Sequence, residues 1–182
     1  IVRRYYQALV ERRIGNGKDG PSYKIELLMK KAGIDPSIRQ CVKASMDLAA
    51  ETEQPAAAIE LPDGRIVTGK TSSLLGASSA AMLNALKTLG GIADDLHLIS
   101  PTIIEPIQDL KINHLGNNNP RLHMDEVLIA LSICAVTDPT AELAMKQIEK
   151  LKGSNAHSTV ILSQVDINTY KKLGIHLTCE PK

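Results

Sequence analysis

The sequence "AAAIELPDGRIVTGK", residues 56–70, contains two strand-like segments on either side of a turn. The segments are 56–61 and 65–70, and Pro62-Asp63-Gly64 lies between them. Proline restricts one backbone dihedral angle and glycine readily adopts a positive one, so this tripeptide favours a tight turn. The stretch therefore predicts a β-hairpin.

The same stretch overlaps a match to the P-loop pattern G-x-x-x-x-G-K-[ST], which runs from Gly64 to Thr71. In a P-loop the four variable residues curl around a phosphate group. Here those residues, 65–68, belong to the second predicted strand, and an extended backbone cannot surround an anion. We therefore interpret the match as coincidental.

Helices and short apolar segments alternate after the hairpin. The pattern predicts a helix from about Ser72 to Gly90, followed by strands at 96–100, 158–164 and 175–180 with helices between them. Short apolar strands joined through helices are typical of a parallel sheet covered on both faces. We therefore expect an α/β fold, a three-layer sandwich around a mixed sheet of about five strands, with the hairpin at one edge.

The amino-terminal region differs in composition from the rest. Residues 13–22 carry three glycines and a proline, which is typical of a loop or linker. Residues 1–22 are predicted to be an amino-terminal helix and linker, and residues 23–182 a single α/β domain. Since the chain opens on Ile1 rather than Met, we expect it to be the end of a larger protein with an upstream portion.

Composition excludes several classes of partner. No apolar run approaches the length of about 18 residues that indicates a membrane span. The chain has four tyrosines and no Phe or Trp, so it lacks the stacking surfaces of single-strand nucleic-acid binders. Its three cysteines are far apart, which favours a reducing compartment. We expect a cytoplasmic protein with neither a membrane nor a nucleic acid as partner.

Several long segments resemble a known family. They are "TGKTSSLLGASSAAMLNALK" (68–87), "HLISPTIIEPIQDLK" (97–111), "NNNPRLHMDEVLIALSI" (117–133) and "HSTVILSQVD" (157–166). Together they look like the carboxyl-terminal part of an uncharacterised bacterial family catalogued as domain of unknown function 1846. The resemblance covers nearly the whole chain. It implies a larger bacterial cytoplasmic protein and implies no particular chemistry.

The order of helices and strands is also similar to the cytidine-deaminase-like fold. Zinc enzymes of that fold carry His- or Cys-Ala-Glu at the start of the helix after the hairpin, and Pro-Cys-x-x-Cys after the next strand. This chain has "LLGASSAAM" (74–82) at the first place and Ser100-Pro101-Thr102 at the second, without zinc ligands. We therefore expect no metal, and no motif indicates another cofactor.

Most of the candidate ligand-binding residues are polar residues at the predicted carboxyl ends of strands, because ligands of open α/β sheets gather there. His123 comes instead from "PRLHMDEV" (120–127), a loop-to-helix junction, where a histidine beside carboxylates can bind a metal or transfer protons; the alternative is that these residues cap the helix. At the end of the hairpin, backbone amides, hydroxyls and an ammonium group can surround an anion at a helix start. The alternative at that position is a simple helix cap with a solvated lysine. The candidates are Lys70, Thr71, Ser72, Ser100, His123 and Ser163.

Two hypotheses for function remain from the sequence. One is a small-molecule or phosphate-binding domain of a larger protein, in which the candidate residues meet around a small anionic ligand. The other is a non-catalytic scaffold for oligomerisation or for docking of the upstream portion. Helices 73–89 and 124–136 are rich in small and apolar residues, and the second is apolar enough to predict a buried helix. We expect them to pack against a second copy in a homo-oligomer. No nucleophile–base pair is evident, so no catalytic residue is predicted.

Overall fold

The computed structural model describes residues 1–15 and 19–182 and has alternating helices and strands. The helices are α1 (Val2–Arg13), α2 (Asp19–Lys31), α3 (Gln40–Thr52), α4 (Ala77–Gly90), α5 (Pro101–Asp109), α6 (Met124–Cys134), α7 (Pro139–Met145) and α8 (Gln164–Lys172). The strands are β1 (Ala56–Glu60), β2 (Ile66–Lys70), β3 (Asn155–Ser158) and β4 (His176–Cys179). Short 3-10 turns lie at Pro36–Ile38 and Ile148–Leu151, and a π-helical turn, Leu110–His114, extends α5.

The four strands form one mixed sheet in the order β2-β1-β3-β4. Strand β1 is antiparallel to both β2 and β3, whereas β3 and β4 are parallel. The predicted hairpin is confirmed: Gly64 has a positive φ of 87°, and its amide donates to the Leu61 carbonyl at 2.9 Å. Residues 66–70 pair with β1 along their whole length, so the P-loop match is coincidental, as predicted.

Helices cover both faces of the sheet, which confirms the three-layer α/β architecture. Ala57 and Ile59 of β1 belong to the large apolar core that contains α4, α6 and α8 residues. The opposite face of the sheet is covered by α1 and α3. On this face Tyr6 packs on His157, and a smaller apolar cluster includes Val42. Residues that alternate along a strand point to opposite faces, so the short strands are covered on both sides.

The strand predicted at 96–100 is not formed. This segment is irregular, although Leu98 and Ile99 are only 3% and 4% exposed. Both side chains join the core that contains α4 without pairing in the sheet. The apolar run was therefore interpreted wrongly because burial alone does not distinguish a strand from a buried loop. The next strand after α4 is β3, which ends at Ser158, where the predicted strand began.

The predicted burial of helix 124–136 is wrong on one side. Ala130 and Leu131 are buried, but Ile129, Ile133 and Val136 are 59%, 66% and 81% exposed. These three residues follow the i, i+4, i+7 spacing of a single helix face. An apolar side of α6 and of the turn after it is therefore open to solvent.

The amino-terminal helices pack on the sheet. Helix α1 contacts α2 and β4, and Val2 and Tyr6 belong to the smaller apolar cluster. The linker predicted over 13–22 is wrong at its end, because α2 already begins at Asp19; residues 16–18 lie outside the described residues. Over residues 1–15 and 19–182, no helix has both the length and the apolar character needed to cross a membrane.

Candidate functional site

Three strands end at one edge of the sheet, which we call the carboxyl edge. Because β1 runs against β2 and β3, and β3 runs with β4, the carboxyl ends of β2, β3 and β4 lie on the same side. The second hairpin strand therefore shares a direction with the two later strands. In open α/β sheets this edge is the usual place for a ligand.

A buried carboxylate, Asp166, joins three helices at the carboxyl edge. It lies in the first turn of α8 and is 5% exposed. Its Oδ1 accepts the Met124 amide of α6 at 2.8 Å. Its Oδ2 accepts from Ser78 Oγ of α4 at 3.5 Å and lies 3.4 Å from His123 Nδ1. The side chain of Asp166 therefore touches the first turns of both other helices.

Helix dipoles explain why a carboxylate is stable at this point. The amino-terminal end of a helix carries partial positive charge and unsatisfied amides. Helix α4 begins after Gly76 without a side-chain cap, and its first-turn residue Ser78 is buried. Asp166 places a negative charge beside this end and beside the start of α6, and its own amide donates to Ser163 Oγ at 3.2 Å. One side chain thus serves three helix starts.

His123 is the solvent-facing member of this cluster. It occupies the N-cap position of α6, and its side chain is 29% exposed. With Nδ1 directed at Asp166, the other ring nitrogen, Nε2, has no hydrogen-bond partner among the described residues. An imidazole held in this way can donate to, or accept from, a ligand at Nε2.

The segment between β2 and α4 is not helical, so the helix start predicted near Ser72 is wrong. Ser72 Oγ accepts the amides of Leu74 and Leu75 at 3.2 and 3.1 Å, which closes a small loop. Leu75 then bridges to Leu122, and α4 begins only at Ala77. The serine caps a loop instead of a helix because the chain must first cross to the 121–122 segment.

Two cationic side chains lie near this loop. Arg121, two residues before His123, donates from Nε to the Ser72 carbonyl at 2.6 Å, which places the guanidinium beside the loop. Lys70 is exposed at the end of β2, and the Thr71 amide donates to the Pro55 carbonyl. Within the described residues, neither Lys70 nor Arg121 forms an ion pair. Both positive charges are therefore available to a ligand.

The structure brings some candidate residues together and separates one. Ser163 and His123 both contact Asp166, and Ser72 contacts Arg121 beside His123. Lys70 and Thr71 directly precede Ser72. Ser100 instead caps α5, where its Oγ accepts the Thr102 amide at 3.3 Å, and it makes no hydrogen bond to this cluster.

Sequence reasoning missed the central residue of the cluster. Neither Asp166 nor Ser78 is among the candidate residues predicted from the sequence. The spacing Ser163-x-x-Asp166 is that of a capping box, a local signal that does not reveal contacts with other helices. The meeting of three helix starts depends on topology. The one sequence signal for this cluster is an acidic residue, Asp166, among the apolar residues of "ILSQVDIN" (161–168).

A second polar network lies on the opposite face and is largely buried. His157 is fully buried, with Nδ1 2.8 Å from Thr178 Oγ1 and Nε2 3.2 Å from Glu180 Oε1. Tyr6 of α1 packs on the imidazole with ring centroids 4.7 Å apart. Burial, followed by the charge of Glu180, raises the pKa of Tyr6 well above its ordinary value. The network joins α1 to β3 and β4, so we assign it a structural role.

Glu180 should make stability depend on pH. The hydrogen bond from His157 lowers the pKa of Glu180, although burial opposes this. A lowered pKa means stability that is present above the unfolded-state pKa of about 4.3 and lost as pH falls through the folded-state pKa. We expect Glu180→Gln to lower the free energy of unfolding by about 1–2 kcal/mol at pH 7, with the difference shrinking below about pH 4.

Urea unfolding of both proteins between pH 3 and pH 7 measures this difference. Glu51→Gln, at an exposed position of α3, is the matched control and should follow the wild type at every pH. A Glu180→Gln deficit that stays constant across the whole range would contradict the role given to the carboxylate.

The donor set at the carboxyl edge does not suit a metal ion. Among residues 1–15 and 19–182, no group of three His, Cys, Asp or Glu side chains is placed to hold one. Zinc enzymes of the cytidine-deaminase-like fold carry cysteine ligands after the strand that follows the first helix after the hairpin. Because 96–100 is not a strand, the corresponding segment of this chain is 159–166 rather than 100–102. It contains no cysteine, and Ser163 and Asp166 contribute to hydrogen bonding there.

Comparison with known proteins gives a consistent family match. The family model described as domain of unknown function DUF1846, C-terminal, matches residues 37–182. A UPF0371 protein of Streptococcus pyogenes serotype M5 (strain Manfredo) is 51% identical over 181 residues, covering 100% of this chain and 37% of the relative. A UPF0371 protein of Corynebacterium urealyticum is 50% identical over 182 residues, with the same coverage. The chain thus spans little more than a third of the length of these relatives.

Proposed function

We propose that this chain, which belongs to the family described as domain of unknown function DUF1846, C-terminal, binds a small anionic ligand at its carboxyl edge. The observation that carries the proposal is a solvent-facing His123, held by a buried acid, together with two cations, Lys70 and Arg121, that form no ion pair with any residue the structure describes. The ligand-binding residues are Lys70, Thr71, Ser72, Arg121, His123 and Ser163.

Charge supports an anion over a neutral ligand. The starts of α4, α6 and α8 direct partial positive charge toward this edge. The negative charges among them are those of Asp166 and of Asp125 and Glu126 in the first turn of α6, and Lys111 pairs with Glu126. Lys70 and Arg121 add two full positive charges on the solvent side. A carboxylate or phosphate group can accept the Arg121 guanidinium N–H groups, and Lys70 adds a positive charge where the same loop begins.

The position of His123 supports recognition through a hydrogen bond. Its Nδ1 is engaged by Asp166 at 3.4 Å, and this contact limits rotation of the ring. The exposed Nε2 is therefore presented in a fixed direction. In the described part of the chain, no hydroxyl group is hydrogen-bonded to His123 Nε2. We therefore assign His123 a role in binding and do not pair it with a nucleophile.

Loss of either cation should weaken anion binding. We expect Lys70→Ala and Arg121→Ala each to weaken the binding of inorganic phosphate by about 1–3 kcal/mol, the range for a charge-assisted hydrogen bond. The measurement is isothermal titration calorimetry of phosphate, and then of nucleotides, into each variant. Thermal unfolding of each variant checks that the fold is kept.

The matched control is Lys150→Ala, because Lys150 is exposed and lies in the turn that precedes the amino end of β3. It should bind phosphate as the wild type does. The anion site would be refuted if the wild type and both alanine variants bound phosphate equally, or if none of them bound it. Ser72 would then have only its loop-capping role.

A scaffold function is the second candidate, and the exposed apolar side of α6 favours it. Ile129, Ile133 and Val136 are large apolar side chains on one helix face with more than half of their surface in solvent. Such a stripe is typical of a surface that a partner covers. The predicted homo-oligomer would use this face.

Light scattering tests the oligomer. If a second copy covers the stripe, Ile133→Ser should shift the mass toward that of the monomer, because it replaces a central apolar contact with a hydroxyl. Ile38→Ser, at another exposed isoleucine, is the control. A monomeric wild type at every concentration would exclude this assembly.

This chain covers 37% of the length of these relatives. We place the anion site within a larger bacterial protein, in which the upstream portion is the nearest partner. Three buried cysteines without disulfide bonds, Cys41, Cys134 and Cys179, support a reducing, cytoplasmic location.

A further inference from the structure

The outer edge of β4 is unpaired. The amides of His176 and Glu180 donate toward β3, at 2.9 Å to the Ser154 and Ser158 carbonyls. Peptide groups of alternate residues point to opposite sides of a strand, so those of Leu177 and Cys179 point away from β3. In the described part of the chain, no backbone group pairs with them. An open edge of this kind is a template for another strand.

Two helices turn this edge into a groove. Helix α1 stands on one side and α8 on the other, and together with β4 they enclose a cavity of about 630 Å³. Val10 of α1 and Ile167 of α8 line its walls, and Leu177 and Cys179 line its floor. The occupant must therefore be narrow enough to pass between two helices and must offer backbone hydrogen bonds to the floor.

The rim of the groove is basic. Arg3 and Arg4 of α1 and Lys171 of α8 line it, and Glu11 is the only acid among the lining residues. Glu11 already accepts a hydrogen bond from Gln7 at 2.9 Å. The charge therefore complements a segment that carries acidic side chains beside apolar ones.

We propose that an extended acidic and apolar segment from the upstream portion of the longer family proteins adds to β4 as a fifth strand. Most of each relative lies outside this chain, since the chain covers 37% of it, so ample sequence is available in the same molecule. Supply from the same molecule raises the effective concentration of the segment. A second copy fits poorly because its own α1 and α8 flank its β4 and would meet the same two helices.

Hydrogen–deuterium exchange on the full-length protein that contains this chain tests the proposal. The Leu177 and Cys179 amides should exchange about 100-fold more slowly than an open edge allows. The Ile66 amide is the internal control. Residues 65 and 71 of the hairpin form hydrogen bonds with the β1 side, so the alternate backbone amide of Ile66 points away from β1, to the outer edge of the sheet. Leu177 and Cys179 exchanging as fast as Ile66 would overturn the proposal.

Two further readouts identify the occupant. Arg4→Glu in the full-length protein should speed exchange at Leu177 and Cys179 about tenfold, whereas Lys150→Glu should not, because Arg4 lines the groove and Lys150 does not. Exchange at Ile59 in the central strand should stay unchanged in both variants, which shows that the fold is kept. Protection that disappears when a dimer is diluted to monomers would assign the groove to a second copy and refute the upstream segment.

Discussion

Replacing Gly69 with alanine is expected to destabilise the fold by about 3 kcal/mol or more, the upper range for overpacking. A Cβ atom at Gly69 would lie 2.2 Å from the Ala81 nitrogen and 2.6 Å from the Ala80 carbonyl carbon. Both are backbone atoms of α4, so no side-chain rotation can relieve the clash. Helix α4 would have to move away from β2, which would open the core.

Urea unfolding measures this loss as a lower midpoint at an unchanged slope. Gly20→Ala is the matched control, since Gly20 lies in α2 and a Cβ there meets nothing within 4 Å. It should be neutral or stabilising by about 0.5–1 kcal/mol. A Gly69→Ala protein as stable as the wild type would contradict the close contact between β2 and α4.

Replacing Asp166 with alanine is the second large effect, with an expected loss of about 3 kcal/mol. The substitution leaves the Met124 amide without its acceptor and removes the negative charge beside the starts of α4 and α6. A buried donor without a partner costs about 1–3 kcal/mol, and the lost charge at helix ends adds to this. Unfolding in urea at pH 7 measures the sum.

Asp166→Asn separates the two contributions, because the amide oxygen still accepts the Met124 amide while the charge is removed. We expect it to cost about 1–2 kcal/mol, less than alanine. Asp125→Asn is the control in the first turn of α6, where the carboxylate accepts only the Glu126 amide. If Asp125→Asn and Asp166→Ala cost the same, Asp166 is an ordinary cap.

Local turn chemistry made part of the fold predictable. The Pro62-Asp63-Gly64 turn and its two flanking strands were correct because neighbouring residues determine them. The α/β class also followed from the alternation of helices and strands. The strand predicted at 96–100 is wrong because Leu98 and Ile99 are buried in the core that contains α4 without pairing in the sheet, and a single sequence does not reveal this packing.

The candidate site was predicted in outline only. Lys70 and Ser163 were found from their positions at predicted strand ends, and His123 from its position at a helix start. The residue that links His123 and Ser163, Asp166, was not found, because its partners lie 42 and 88 residues away along the chain. Long-range contacts of this kind follow from the strand order.

Titration of the wild-type chain with inorganic phosphate, followed by nuclear magnetic resonance, tests the central claim most directly. Binding at the carboxyl edge predicts saturable shifts of the backbone amides of residues 70–72 and 121–123 and of the His123 imidazole. The amide of Lys150, in the turn that precedes the amino end of β3, should not shift. Saturable shifts elsewhere with none at His123, or no saturable shift at any concentration, would contradict the proposed anion site.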